Sequence, residues 1–448
     1  MNNLLDKKEL QILRKAIDLS DKINKKKKLQ NPIISEIMSI VETFIIKKKL
    51  ICYGGTAINN ILPDENKFYN KEVDLPDYDF FSFNAIKHAK DLCDLYKKHG
   101  YKEILASSGV HHGTYKVFVN FIPVADITQL PRKLYDALHK NALVYSKIHY
   151  APANYLRMSM YLELSRPEGD ISRWEKVLRR LVLLNNTFPL KYKNCKHVIF
   201  QRPLYKKSIN SVKIYNIVKD SFIQQNVVFF GAFAASLYGE YMPKTIKKKI
   251  SKIPDFDVLC ENPEKVINHV KNTLLSNGIT NVTYKKHNAL IDIIPIHYEL
   301  IIDKDTVAFL YTTVACHNYN LYTYHNQTLK IATIDTMLSF YLAFLYANKP
   351  YYNNDRILCM AHYLFIVQQK NRLAQKGLLK RFSHTCYGTQ TGREELREIR
   401  QNKYKELKTK KTSEEYESWF LKYDPYEKKN TTRKKIVKSK KNKTKKNN

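Results

Sequence analysis

Three short landmarks recur in the same order in the two halves of this 448-residue chain. A recurring order constrains the fold more than any single segment, because it means one supersecondary plan built twice. The apolar run Leu50-Ile51-Cys52-Tyr53, broken by Gly54-Gly55, is echoed by Val227-Val228-Phe229-Phe230, broken by Gly231-Ala232. Leu75-Pro76-Asp77-Tyr78-Asp79-Phe80 is echoed by Ile253-Pro254-Asp255-Phe256-Asp257-Val258. Phe121-Ile122-Pro123-Val124 is echoed by Ile293-Ile294-Pro295-Ile296, and the three offsets are 177, 178 and 172. Between the landmarks, short apolar strands alternate with stretches of helical periodicity, so each half reads as a mixed α/β, α+β unit. The predicted organisation is a helical N-terminal arm over 1–38, a first unit over 39–200 and a second unit over 205–370. A helical extension over 371–427 and a disordered basic tail over 428–448 complete it.

The first unit carries the chemistry. Asp77 and Asp79 are two apart on a predicted strand, so both side chains leave the same face. Adjacent carboxylates repel, and a hard divalent cation such as Mg²⁺ or Mn²⁺ relieves that repulsion. Gly54, Gly55 and Thr56 close one strand and open a predicted helix, where backbone N–H groups can approach a phosphate. Asp126, at the end of a later predicted strand, supplies a third acid. A lone Asp-x-Asp is a weak signal. A glycine turn, then Asp-x-Asp, then an aspartate on another strand is a specific one, and it suits nucleotidyl transfer with two metals about 3.5–4 Å apart.

Composition narrows the partner. There are 76 Lys+Arg against 42 Asp+Glu, a formal charge of +34, so a polyanion is the expected ligand: nucleic acid first, an anionic membrane second. The tail from Lys428 to Asn448 holds eleven of these cations and no acid. The longest apolar stretch, Met337 to Ala347, is too short for the ~20 residues of a membrane helix and reads as a buried helix. The seven cysteines are scattered, odd in number and without a Cys-x-x-Cys pair. That pattern predicts neither a disulfide framework nor a zinc ribbon and points to a reducing compartment. His111 and His112, adjacent on a hairpin, read as surface histidines and not as a metal pair.

At these residues the sequence resembles the DNA polymerase β-like nucleotidyltransferases. More closely, it resembles the poly(A) polymerase catalytic subunits of large cytoplasmic DNA viruses. The resemblance is carried by Phe44 to Ile58, by Pro76-Asp77-Tyr78-Asp79-Phe80-Phe81-Ser82 and by Val124-Ala125-Asp126-Ile127-Thr128. It implies that Asp77, Asp79 and Asp126 are the metal-binding catalytic set, and that Gly54, Gly55 and Thr56 form the triphosphate turn. Arg166 and Lys176, in the segment after the last carboxylate, are the triphosphate contacts it suggests. It further implies ATP and the 3′ end of single-stranded RNA as substrates, while the short apolar stretch predicts no membrane partner. The protein partner would be a processivity subunit or a second copy of this chain, and the location the host cytoplasm or the virion. Two features depart from the wider superfamily: Thr56 follows a Gly-Gly pair where Gly-Ser is usual, and 21 residues separate Gly55 from Asp77.

The second unit reads as a degenerate copy kept for packing or RNA binding. Aligning Pro295 with Pro123 puts Tyr298 in the place of Asp126, with Asp292 opposite Asn120 as an alternative acid, while Asp255 and Asp257 are retained. Template-independent addition of AMP to RNA is the leading expectation. Its rivals are tRNA-end or oligoadenylate synthesis by the same fold, and a catalytically dead RNA-binding scaffold.

Overall fold

The structure, a computed structural model, describes residues 7–70, 74–200, 211–251, 255–291 and 293–427. The basic tail, Ile253-Pro254 and Asp292 lie outside the described residues.

The N-terminal arm is helical as expected: α1 (Lys7–Leu29) leaves Leu13, Ile17 and Leu19 at the surface, and α2 (Pro32–Lys48) packs on the first unit. Asn31 caps α2 by accepting from the Ile33 N–H, with Pro32 at the first helical position. Lys49, in the left-handed region at φ 52°, ends the helix by donating to the Ile45 and Ile46 carbonyls. That stop aims the chain into β1 (Ile51–Tyr53), followed at once by α3 (Gly54–Ile61). Then come β2 (Asp79–Ser82), α4 (Ala85–Lys98), β3 (Ile104–Ser108), β4 (Thr114–Val119) and β5 (Ile122–Gln129). Strands β3, β4 and β5 form a three-stranded meander. The unit closes with α5 (Arg132–Lys140), β6 (Leu143–Tyr145), β7 (Ile148–Tyr150), α6 (Ala153–Leu164) and α7 (Trp174–Thr187).

The second unit runs α8 (Ser211–Gln224), β8 (Val228–Phe229), α9 (Ala232–Tyr238), α10 (Lys244–Ile250), β9 (Phe256–Leu259) and α11 (Pro263–Ser276). It continues through β10 (Val282–His287), β11 (His297–Ile302), β12 (Asp305–Tyr311), β13 (His317–Tyr324) and β14 (Gln327–Ala332) to α12 (Ile334–Phe344) and α13 (Asn354–Lys370). The chain then forms β15 (Cys386–Tyr387), α14 (Arg393–Leu407), α15 (Glu414–Phe420) and β16 (Lys422–Tyr423).

The duplication is visible in the sheets. One is ordered β3-β4-β5-β2-β1-β7-β6, the other β10-β11-β12-β9-β8-β14-β13, with β16 added beside β3 and β15 beside β13. Each corresponding pair also has the same sense: β2–β5 and β9–β12 are parallel, β1–β7 and β8–β14 are parallel, and the rest are antiparallel.

This topology corrects the third landmark. Pro123 lies on β5, whose counterpart is β12, whereas Pro295 precedes β11, the counterpart of β4. Asp79 pairs with Asp126 across β2–β5, and Asp257 pairs with Phe309 across β9–β12. Buried Phe309, not Tyr298, therefore stands where Asp126 stood.

The units meet through α6 and α12, the latter buried along its whole length as the Met337–Ala347 stretch predicted. Tyr161 donates to Gln368 at 3.0 Å, and Arg381 holds buried Asp335 through Nε at 2.8 Å. The C-terminal stretch carries α14 and α15 and returns to the first unit. There β16 joins β3, and Arg400 donates to the Ser108 hydroxyl at 2.7 Å. Cysteine spacing misled: Cys195–Cys359 and Cys316–Cys386 are bridged, with Cα atoms 5.5 and 5.2 Å apart across 164 and 70 residues of sequence. Such partners are brought together by the tertiary fold and leave no local signature. Among the described residues no single helix is long and apolar enough to cross a membrane.

Candidate active site

The site begins where β1 turns into α3. Gly54 has φ +74°, and a Cβ there would lie 2.5 Å from Asp79 Oδ2, so only glycine fits. A Cβ on Gly55 would lie 2.6 Å from the Tyr69 hydroxyl and 2.9 Å from Arg180 Nη1. The cap residue Tyr53 makes no side-chain hydrogen bond to the N-terminus of α3, where the first N–H groups can meet an anion. Thr56 is buried, and its hydroxyl donates to the Asp77 carbonyl at 2.7 Å, so it fixes the loop that carries Asp77.

Asp79 opens β2, but Asp77 precedes the strand, in a loop tied down by the Asp79 N–H donating to the Asp77 carbonyl. The two carboxylates are therefore not the simple strand pair expected. Asp126 comes alongside because β2 and β5 are parallel and in register. On its other side β4 places Lys116 directly opposite Asp126, and the two are ion-paired.

All three aspartates line one cavity of about 710 Å³, together with Gly54, Gly55, Thr56 and Lys176. Burial and the charges of Asp77 and Asp126 push Asp79 up to about 7, with Lys116 and Arg173 opposing. Asp77 is raised too, by desolvation and then by Asp126. Lys176 is lowered by desolvation and by the neighbouring Arg180 and Arg173. Closely set hard oxygen donors that resist ionising together, one already holding an ammonium group, fit the divalent cations expected from the sequence. The set is open: among the described residues, only Glu168, Cys316 and Cys386 have ligand atoms all within 4.8 Å of one another, and those cysteines are bridged.

Of the two expected cationic contacts, Lys176 lines the cavity. Arg166 does not; it lies at the seam with the second unit, where its charge acts on buried His317. Sequence reasoning missed Arg173, Arg180 and Lys116. Arg180 was within reach, since it follows Lys176 by four residues on α7 and so shares its face. Arg173 is paired to Glu163 at 3.0 Å. The histidines diverge: His111 lines the cavity, and His112 stacks on Trp419 at 4.2 Å. Trp174 is half-buried and donates to the Glu163 carbonyl at 3.0 Å.

The matching corner of the second unit is closed. Asp255 and Asp257 border a space of about 30 Å³, walled by Tyr341, Phe344 and Tyr352. The Arg356 guanidinium stands 3.6 Å from Asp255.

Residues 39–170 match the family model described as the poly(A) polymerase catalytic subunit. Over 163 residues the chain is 32% identical to a "Putative poly(A) polymerase catalytic subunit" of African swine fever virus (isolate Pig/Kenya/KEN-50/1950), covering 35% of this chain and 34% of that protein. Over 161 residues it is 29% identical to the protein of the same description from Acanthamoeba polyphaga mimivirus, covering 34% and 26%. The chain thus spans about a third of the length of the first of these curated relatives and about a quarter of the second. The crystal structure of the Megavirus polyadenylate synthase superposes with a TM-score of 0.77 at 19% identity, covering 91% of this chain and 85% of that one. Over residues 39–170, the stretch that holds all three carboxylates and the glycine turn, the chain matches the viral poly(A) polymerase catalytic subunits, and its fold is that of the Megavirus enzyme.

Proposed function

We propose that this chain is a template-independent polynucleotide adenylyltransferase: the RNA 3′-hydroxyl attacks the α-phosphate of ATP, AMP is added and pyrophosphate leaves. One observation carries the reading. The glycine turn and three carboxylates of the matched segment converge in a cavity of about 710 Å³, large enough for a nucleotide, whereas the duplicate corner has about 30 Å³. Asp77, Asp79 and Asp126 would hold the divalent cations, which when bound neutralise the triphosphate and make the attacking hydroxyl more acidic. The N–H groups at Gly54 and Gly55 receive phosphate oxygens, and Lys176 and Arg180 balance the triphosphate charge. Thr56 keeps Asp77 in place through its carbonyl, and Lys116 does the same for Asp126 through its carboxylate. The +34 charge supports RNA as acceptor over a small molecule, and the relatives' description as a catalytic subunit supports a partner subunit.

The test is extension of a labelled RNA primer with Mg²⁺ or Mn²⁺ and each nucleoside triphosphate supplied separately. Long tails with ATP alone support the proposal. One to three residues added from CTP and ATP would replace it with tRNA-end synthesis, and no addition would reject it.

A further inference from the structure

The turn between β3 and β4 reaches the large cavity from across the sheet. In the strand order β1-β2-β5-β4-β3, the glycine turn follows β1, Asp79 opens β2 and Asp126 lies on β5. Thr114 then opens β4, and exposed His111 sits in the β3–β4 turn; both line the same cavity. His111 is thus set at the far side of the carboxylates from Gly54 and Gly55.

This turn is held by the C-terminal end of the chain. Arg400 on α14 donates to the Gly109 carbonyl and to the Ser108 hydroxyl. On α15, the Ser418 carbonyl accepts from the Tyr115 hydroxyl at 3.1 Å, and Trp419 stacks on His112 with centroids 4.2 Å apart. Next to the turn, β16 pairs with β3, Lys422 opposite Ser107. Inside it, the Thr114 N–H donates to the His111 carbonyl at 3.2 Å. His111 and His112 are consecutive, so fixing one ring on Trp419 also fixes the backbone from which the other enters the cavity.

The reaction gives this side of the cavity its role. In an in-line displacement the attacking and leaving oxygens stand on opposite sides of the phosphorus. With the leaving phosphates at the glycine turn and the α-phosphate at the carboxylates, the attacking hydroxyl arrives from the β5–β4 side, past Thr114 and His111. We propose that His111 is an acceptor-binding residue, its imidazole N–H donating to a backbone phosphate oxygen at the 3′ end of the RNA primer, and that Trp419 is the positioning residue that sets the turn for it. This rests on the adenylyl-transfer reading above, and nothing covalent is added to it.

The experiment uses the full chain and a short oligoadenylate primer, so that contacts at its 3′ end weigh heavily in its affinity. His111→Ala is expected to raise KM for the primer about tenfold, while KM for ATP moves less than about threefold. His111→Gln, which keeps an N–H donor, is expected to recover most of that loss. Trp419→Ala is expected to move the primer KM in the same direction and Trp419→Phe to restore it. The double variant His111→Ala/Trp419→Ala should be no worse than His111→Ala alone, because Trp419 acts only through the turn. An unchanged primer KM in His111→Ala, an equal rise for ATP, or full additivity in the double variant would each overturn the proposal. Fluorescence anisotropy of the labelled primer, without ATP, is measured on the wild-type and His111→Ala chains, and the variant should bind more weakly. If the wild-type chain extends no primer, the adenylyl-transfer reading fails, and the anisotropy difference still decides whether His111 holds RNA.

Discussion

Asp79 and Asp126 are direct partners across the parallel β2–β5 ladder, 47 residues apart in sequence and side by side in the fold. Burial, and then the charges of Asp77 and Asp126, raise Asp79. Carboxylates set this close resist ionising together.

Asp77→Ala, Asp79→Ala and Asp126→Ala are each expected to lower primer extension at least about a thousandfold, roughly 4 kcal/mol in barrier. RNA affinity should be nearly unchanged. Extension assays and filter binding on the same preparations check this, and tail synthesis retained by any one variant would count against the assignment.

The second unit should tolerate loss of its acids. With Phe309 opposite Asp257 and aromatic walls around a space of about 30 Å³, Asp255→Ala and Asp257→Ala should leave AMP addition within about tenfold, about 1.4 kcal/mol. Arg356→Ala should instead act on stability, at a cost of about 2 kcal/mol, because it removes the guanidinium from a buried carboxylate. Urea unfolding separates the two effects.

The glycines should differ from each other. Gly54→Ala meets both a positive φ and the Asp79 carboxylate, and should cost kcat/KM for ATP about a hundredfold. Gly55→Ala meets only the ends of Tyr69 and Arg180, which can move, and should cost several times less. Steady-state kinetics on both variants would show the order, and a reversed order would contradict this geometry.

Acid should weaken the second unit. His297 donates from Nδ1 to the Pro295 carbonyl at 3.0 Å, and its Nε2 shares a hydrogen bond with the Tyr351 hydroxyl at 2.9 Å. Burial pushes it down to about 4, and buried His317 down to about 3. Both folded values lie below the unfolded one, so the unfolded chain binds more protons and stability falls as pH drops below about 6.5. For His297 the full effect is on the order of 3 kcal/mol by pH 4. His297→Gln should flatten the acid limb of urea midpoints measured between pH 7 and 4.5; an unchanged limb would remove His297 from the cause.

What the sequence determined is local. Gly54, the Asp-x-Asp pair, the cap at Asn31 and the apolar break after each first strand depend on backbone reach over a few residues, and each is readable there. The duplication was legible for the same reason, through two strand landmarks. The third failed because Ile293-Ile294-Pro295 imitates Ile122-Pro123 in composition yet precedes a different strand. Strand register decided that Phe309 answers to Asp126, and register is set by turns and packing far from the residues concerned. The same holds for Arg180 at the cavity in place of Arg166, for Lys116 on Asp126, for the two cysteine pairs and for the return of β16 to the first sheet. Each joins residues by burial and sheet pairing over distances in sequence at which no local pattern survives.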